Sequence, residues 1–109
     1  MTDDVLQQLA ALIHSRRDDS AGKSYTRGLL DGGPERCAKK LGEEAIETVI
    51  AALGDDRNAL TREAADLLYH LLVLLESRQI GWSEILKELD SRMGTSGLAE
   101  KAARTLPSQ

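Results

Sequence analysis

Five acidic side chains recur at helical spacing on two neighbouring stretches of the chain. They are Glu43, Glu44 and Glu47 on the first stretch, and Glu63 and Asp66 on the second. Residues three or four apart on a helix project from one face, so each group shares a face. The short polar segment 55–58 joins the two stretches. We therefore expect antiparallel neighbouring helices that hold the two acidic groups at similar heights.

Carboxylates that point at one another repel strongly in a partly buried site, and a hard divalent cation among them removes the repulsion. Oxygen ligands with retained waters suit Mg²⁺ or Mn²⁺. No cluster of His and Cys competes for the ion, so the pattern disfavours zinc. The alternative is that these residues are solvated acids on helix surfaces, and spacing alone leaves both interpretations open.

Basic residues precede the acidic group and suggest what a cation would serve. The stretch 16–40 has seven Lys or Arg against four Asp or Glu, whereas 43–66 has two against seven. Lys39 and Lys40 lie one helical turn before the first acidic group. A metal held by carboxylates with lysines beside it is a usual arrangement for binding a polyphosphate. The alternative is simple pairing of these lysines with Glu43 and Glu44 along one helix, which stabilises weakly.

The elements that must position these residues are predicted to be helices. Leu occurs 18 times and Ala 13 times, while Val, Ile and Phe together occur eight times, which favours helix over strand. Apolar periodicity and turn residues predict helices over about 3–17, 35–53 and 59–78, and a fourth capped by Ser83 that ends near Met93. We expect one all-α domain over 1–109, a four-to-five-helix bundle with its core in about 3–93 and a C-terminal tail at 94–109 that includes a possible helical turn at 98–104.

Length, charge and cysteine content exclude several classes. A chain of 109 residues built mostly from Leu and Ala buries little area alone, and the segment 67–75 is apolar on nearly every side. We therefore expect a homodimer. The net charge of −4 disfavours a nucleic-acid partner, and no apolar run approaches the length of a membrane helix. The single cysteine and the lack of a visible secretory leader predict a cytoplasmic protein.

Two sequence patterns resemble a known superfamily. Glu43-Glu44-Ala45-Ile46-Glu47 followed by Glu63-Ala64-Ala65-Asp66 resembles the E-E-x-x-E…E-x-x-D signature of the all-α nucleoside triphosphate pyrophosphatases, the MazG-like superfamily. Three further segments, 24–26, 39–45 and 65–75, resemble the phosphoribosyl-ATP pyrophosphatase family of histidine biosynthesis. The likeness covers about residues 5–93.

The resemblance implies a Mg²⁺-dependent hydrolysis of phosphoribosyl-ATP to phosphoribosyl-AMP and pyrophosphate, the second step of histidine biosynthesis, in a homodimer. It implies that the metal ligands are Glu44, Glu47, Glu63 and Asp66. It also implies that Glu43 is a further ligand or the base that orients water, so that the catalytic residues are Glu43, Glu44 and Glu47. Lys39 and Lys40 would contact substrate phosphates, and Ser24 and Thr26 would lie near phosphates or ribose.

Two alternatives remain open at this point. One is an enzyme of the same superfamily that cleaves free nucleoside triphosphates, because the four-carboxylate motif does not specify the nucleotide. The other is a non-catalytic helical dimerisation module with solvated acids. Tyr69 and His70 are interpreted as structural residues within an apolar helix, and His14 as a surface residue without a visible partner.

Overall fold

The computed structural model describes residues 4–18 and 24–94, and all regular structure in these ranges is helical. The all-α class is therefore confirmed. Gly94, the first residue of the predicted tail, is the last residue of α5, and the rest of the tail, with its predicted turn at 98–104, lies outside the described residues. The helices are α1 (Val5–Ser15), a 3₁₀ turn (Arg16–Asp18), α2 (Tyr25–Asp31), α3 (Gly33–Ala52), α4 (Arg57–Ser77) and α5 (Trp82–Gly94). Four of these correspond to predicted helices, and α2 was not predicted.

Short acceptor side chains begin three of the helices. Asp4 accepts a hydrogen bond from the amide of Gln7, Ser24 caps α2, and Asp56 caps α4. These side chains satisfy amide donors that have no partner within the first helical turn. The Asp4 cap places the start of α1 at Val5, two residues after the predicted start near residue 3.

The fifth helix begins two residues earlier than a Ser83 cap predicts, because Trp82 and not Glu84 is its first residue. The carboxylate of Glu84 accepts a hydrogen bond from the amide of Gly81 at 3.1 Å, as in a capping box. Ser83 consequently lies inside the first turn and does not cap the helix. Trp82, the first residue of α5, packs against the core.

The core lies where α1, α2 and α3 meet α4. Its fully buried apolar side chains are Ile13, Leu29, Cys37, Leu72 and Val73. The most extensive packing joins α3 and α4, the helical hairpin that carries the acidic residues. None of the helices in the described ranges is long and apolar enough to span a membrane.

Polar contacts fasten the start of the chain to the end of α4. The carboxylate of Glu76 pairs with the guanidinium of Arg17 and lies 2.9 Å from Nδ1 of His14. Arg17 also donates to the main-chain carbonyl oxygen of Glu76 at 2.5 Å. His14 therefore has a partner, contrary to expectation. Burial alone would raise the pKa of Glu76, but Arg17 and His14 lower it below its usual value.

The apolar residues of α3 lie on two different faces of the helix, one half-buried and one exposed. Leu41 and Ala45 are half-buried, but Ile46, Val49, Ile50 and Leu53 are exposed, with Leu53 83% accessible. Conversely, most of the apolar run at 67–75 is covered by the chain's own helices, and Leu68 is its one exposed member. The larger uncovered apolar surface therefore lies on α3 and not on α4.

Candidate metal and substrate site

The α3–α4 hairpin brings three of the predicted metal ligands together. One carboxylate oxygen from each of Glu44, Glu63 and Asp66 lies within 4.8 Å of the others. Glu44 is buried at 7% accessibility, Glu63 is half-buried, and Asp66 is exposed. The cluster therefore runs from the packed interface between the helices out to solvent, which gives a ligand access from one side.

Two oxygens of this cluster are buried without a hydrogen-bond partner. They are Oε1 of Glu44 and Oε1 of Glu63, one from each helix. A buried carboxylate oxygen without a donor or a cation loses its hydration without replacement. Because the three residues offer only oxygen ligands, the donor set fits a hard divalent cation such as Mg²⁺ or Mn²⁺.

The protonation of Glu63 reflects the crowding of negative charge. Partial removal from water raises the pKa of Glu63, and the neighbouring carboxylates of Glu47, Glu44 and Asp66 raise it further. Both effects disfavour the charged form in the absence of a cation. A cation bound among these groups would reverse the electrostatic part of this shift.

Glu47 and Glu43 flank the cluster without joining its closest group. Glu47 is exposed and interacts with the Glu63 carboxyl, so it lies within reach of the same point. Glu43 is also exposed, and its carboxylate lies 3.5 Å from the ammonium group of Lys40. Both positions leave a carboxylate at the solvent side, where water has access.

Thr48 holds the two acidic helices at a short separation. Its hydroxyl lies 2.8 Å from the main-chain carbonyl oxygen of Glu44 and 3.2 Å from that of Glu63. The first contact is a bond back along α3, and the second crosses to α4. Thr48 thus lies on the face of α3 that meets α4, and it fixes the main chain at Glu44 and at Glu63.

A basic pocket adjoins the acidic cluster. It has a volume of about 550 Å³ and lies between α2 and α3, with Tyr25 on one side and Arg36, Lys39 and Lys40 on the other. Lys40 lies 3.9 Å from the Glu44 carboxylate and so connects the pocket to the cluster. The negative charge of the Tyr25 phenolate, followed by the charges of Glu43 and Glu44, raises the pKa of Lys40.

Lys39 and Lys40 both line this pocket, but only Lys40 pairs with carboxylates among the described residues. Pairing with carboxylates along α3 therefore accounts for Lys40, whereas Lys39 can bind a ligand in the pocket. Sequence reasoning named these lysines and did not assign a role in the site to Tyr25 or Arg36. Arg36 is one of the seven basic residues in 16–40, and its position at the pocket depends on the tight turn into α3.

The predicted substrate contacts Ser24 and Thr26 do not line the basic pocket. The Ser24 hydroxyl accepts from the amide of Arg27 at 3.1 Å as the cap of α2. Thr26 is buried at 8% accessibility, and its hydroxyl bonds to that of Tyr69. Their side chains are engaged in placing α2, which in turn places Tyr25 at the pocket.

An aromatic group links α2 to the acidic helix. The rings of Tyr25 and Tyr69 stack with centroids 6.3 Å apart, and His70 packs edge-on against both. His70 is buried and bonded at both ring nitrogens, as expected for a structural histidine. The group thus joins the pocket wall to the turn of α4 that carries Asp66.

The structure is an all-α protein in which a helical hairpin holds converging carboxylates beside a basic pocket. A family model described as phosphoribosyl-ATP pyrophosphohydrolase matches residues 6–93. The chain belongs to this family.

Curated relatives agree with that assignment. A phosphoribosyl-ATP pyrophosphatase of Jannaschia sp. (strain CCS1) is 57% identical over 99 residues, covering 91% of this chain and 97% of the relative. Proteins with the same name from Rhodobacter capsulatus and Rhizorhabdus wittichii are 52% and 54% identical over 91% of this chain, covering 96% and 93% of their own lengths.

Proposed function

We propose that this chain hydrolyses phosphoribosyl-ATP to phosphoribosyl-AMP and pyrophosphate in histidine biosynthesis. The observation that carries the proposal is the pair of buried, unpartnered oxygens of Glu44 and Glu63 beside the basic pocket. Family membership identifies the nucleotide, and the cluster supplies a place where a polyphosphate and its cation can meet. The reaction consumes one water molecule and breaks the anhydride bond between the α- and β-phosphates.

Glu44, Glu63 and Asp66 would hold a divalent cation, Mg²⁺ or alternatively Mn²⁺, with Glu47 as a fourth ligand. The bound ion supplies neutralisation of the charge on the phosphates during cleavage. Thr48 contacts the main-chain carbonyl oxygens of Glu44 and Glu63, so the two helices that carry these ligands are held together before substrate arrives. Such preorganisation lowers the cost of assembling the site.

The solvent-side carboxylates and the lysines would complete the chemistry. Glu43 orients the attacking water and accepts its proton, because its exposed carboxylate shares Lys40 with the Glu44 ligand. Lys39 and Lys40 bind phosphate oxygens from the pocket side. Ser24 and Thr26 act on substrate indirectly, through the placement of α2.

A homodimer would cover the exposed stripe of α3. Ile46, Val49, Ile50 and Leu53 follow one another at i, i+3, i+4 and i+7, and each is more than half exposed. A contiguous apolar face of this kind marks an association surface. We further propose a cytoplasmic enzyme, in agreement with its reaction and its single thiol.

Turnover of phosphoribosyl-ATP and of a panel of dNTPs, followed by pyrophosphate release, tests this function. We expect faster release from phosphoribosyl-ATP, dependence on added Mg²⁺, and thermal stabilisation by Mg²⁺ in the wild type but not in Glu44→Gln. Glu88→Gln on α5 is the matched control and should behave as wild type. Faster cleavage of dNTPs would favour the free-nucleotide enzyme, and no release from any nucleotide would favour the non-catalytic module.

A further inference from the structure

Arg36 is a cation of the basic pocket with no assigned role. It lies in the first turns of α3, and its side chain lines the pocket with Lys39 and Lys40. Within residues 4–18 and 24–94, Arg36 and Lys39 form no ion pair, whereas Lys40 is shared between Glu43 and Glu44. Glu35 also lines the pocket, so three cations face two carboxylates there.

The side chain of Arg36 packs closely against Gly32 in the turn before α3. A Cβ atom on Gly32 would clash with Cδ of Arg36 and lie only 2.9 Å from its Cβ and 3.1 Å from its Cγ. The φ and ψ of Gly32, −75° and −8°, are open to any residue. A side chain at position 32 would therefore displace the stem of Arg36, which lines the pocket together with Gly32.

Arg36 and the acidic cluster lie at different positions along α3. Arg36 lies eight residues before Glu44, or about 12 Å along the helix axis at 1.5 Å per residue. Arg36 is therefore better placed for a second anionic group of the substrate than for a phosphate held at the carboxylates through a cation. Lys40 occupies the intermediate position, one helical turn from each.

Phosphoribosyl-ATP differs from ATP by a phosphoribosyl group, which adds a second anionic end to the nucleotide. On the proposed function, the triphosphate end lies at the carboxylates, so the other phosphate requires a separate cationic subsite. We infer that Arg36, assisted by Lys39, binds the phosphate of the phosphoribosyl arm and thereby selects phosphoribosyl-ATP over ATP. A guanidinium suits this task because it can donate two parallel hydrogen bonds to phosphate oxygens.

Steady-state kinetics of Arg36→Gln test the inference. A lost charge-assisted contact predicts a rise in KM for phosphoribosyl-ATP of roughly 10- to 100-fold, with kcat changed much less. Inhibition by ribose 5-phosphate, a probe for the arm alone, should weaken by a similar factor. Inhibition by pyrophosphate, a probe for the carboxylate end, should stay at the wild-type value.

Two further variants show whether a change in KM comes from the position of the Arg36 side chain or from a general effect on the fold. Gly32→Ala keeps the charge of Arg36 but displaces its stem, so KM should rise in the same direction while the circular dichroism spectrum stays helical. Arg92→Gln removes an exposed arginine on α5 that pairs with Glu88 and should leave both KM and inhibition unchanged.

An unchanged KM in Arg36→Gln would overturn the inference. Equal weakening of pyrophosphate and ribose 5-phosphate inhibition would also overturn it, because Arg36 would then serve the polyphosphate. A wild-type chain that releases no pyrophosphate would instead contradict the proposed function. In that case, NMR titration of wild type and Arg36→Gln with ribose 5-phosphate still decides whether the subsite exists.

Discussion

Nδ1 of His70 lies 2.9 Å from the main-chain carbonyl oxygen of Asp66, one helical turn earlier on α4. A carbonyl oxygen can only accept, so Nδ1 carries the proton and Nε2 of the neutral ring is the acceptor. The hydroxyl of Tyr25, 3.2 Å from Nε2, is then the donor. This chain of bonds connects the wall of the basic pocket to the backbone of a predicted metal ligand.

The tautomer of His70 is a direct prediction of that arrangement. We expect ¹⁵N NMR of the imidazole to show a protonated Nδ1 at neutral pH, because Nδ1 faces a carbonyl oxygen. Tyr25→Phe removes the donor to Nε2 and should lower the free energy of unfolding by about 1 kcal/mol. The imidazole of His14, which is exposed on α1, gives a second ¹⁵N signal in the same spectrum for comparison with buried His70. Observation of the proton on Nε2 of His70 would contradict the assignment.

The raised pKa of Glu63 predicts a pH dependence of the metal-free protein. Between the ordinary pKa of glutamate and the raised value in the fold, the folded chain holds a proton that the unfolded chain has released. Stability must therefore fall as pH rises through this window, and the loss is complete above the folded pKa. We expect Glu63→Gln to remove this component and to have a higher Tm than wild type at neutral pH in EDTA.

Thermal denaturation of both proteins from acid to neutral pH checks the result. Glu88→Gln on exposed α5 should reproduce the wild-type profile. A Glu63→Gln protein that is less stable than wild type at neutral pH without metal would show that the Glu63 carboxylate is stabilising, contrary to the crowding described.

Glu47→Gln and Asp66→Asn are expected to abolish hydrolysis while the fold survives. Each change removes a predicted ligand and also relieves repulsion in the metal-free cluster, so Tm in EDTA should stay equal or rise. Pyrophosphate release at saturating Mg²⁺ and far-UV circular dichroism measure the two effects separately. Near-normal turnover in either variant would remove that residue from the ligand set, and loss of the helical signal would mark it as structural.

Gln79 offers a stabilising substitution at the end of α4. Its φ is 61°, in the left-handed region, and the amide of Ile80 bonds back to the carbonyl oxygen of Leu75 at 2.9 Å. This pattern is the Schellman motif, in which glycine is favoured at the position of Gln79. Gln79→Gly should therefore raise the free energy of unfolding by about 0.5–1 kcal/mol. Gln79→Ala keeps the unfavourable φ and should show no gain in urea denaturation.

The exposed stripe on α3 predicts the behaviour of the proposed dimer. Ile50 is 64% accessible in the single chain, and Ile50→Lys would place a charge in the middle of the stripe. We expect light scattering to report a dimer for wild type and a monomer for Ile50→Lys at micromolar concentration. Val5→Lys, an equally exposed change on α1, should remain dimeric. A monomeric wild type would contradict the proposed assembly.

Helix content and the position of the acidic hairpin could be predicted from sequence, because Leu periodicity and the 55–58 loop are local signals. The short helix α2 was missed because it spans only seven residues and depends on tertiary bonds, notably that of Thr26 to Tyr69. The division of the α3 stripe was also not predictable. Periodicity identifies an apolar face, but only packing shows that Glu44 and Thr48 face α4 while Ile46 and Val49 face solvent.

Local backbone shape was the least predictable feature. Gly54, which follows the predicted helix 35–53, does not take the left-handed conformation of a glycine cap, because the described residues with positive φ are Gly33 and Gln79. Gly33 permits the turn between α2 and α3 at a φ of 81°, whereas a left-handed glutamine has no sequence signature. Arg36 reaches the pocket through this turn, so its role could be read only from the structure.

Helix α3 carries carboxylates on one face and the Ile46–Leu53 stripe on another. An insertion or deletion within α3 would therefore misplace both sets of side chains. Each inserted or deleted residue rotates everything after it by about 100°. A single insertion between Gly42 and Glu44 would turn the acidic side chains away from α4 and shift the apolar stripe with them. Length variation among related chains should therefore be excluded from the middle of α3 and tolerated between Leu53 and the Asp56 cap, where residues 54 and 55 are exposed.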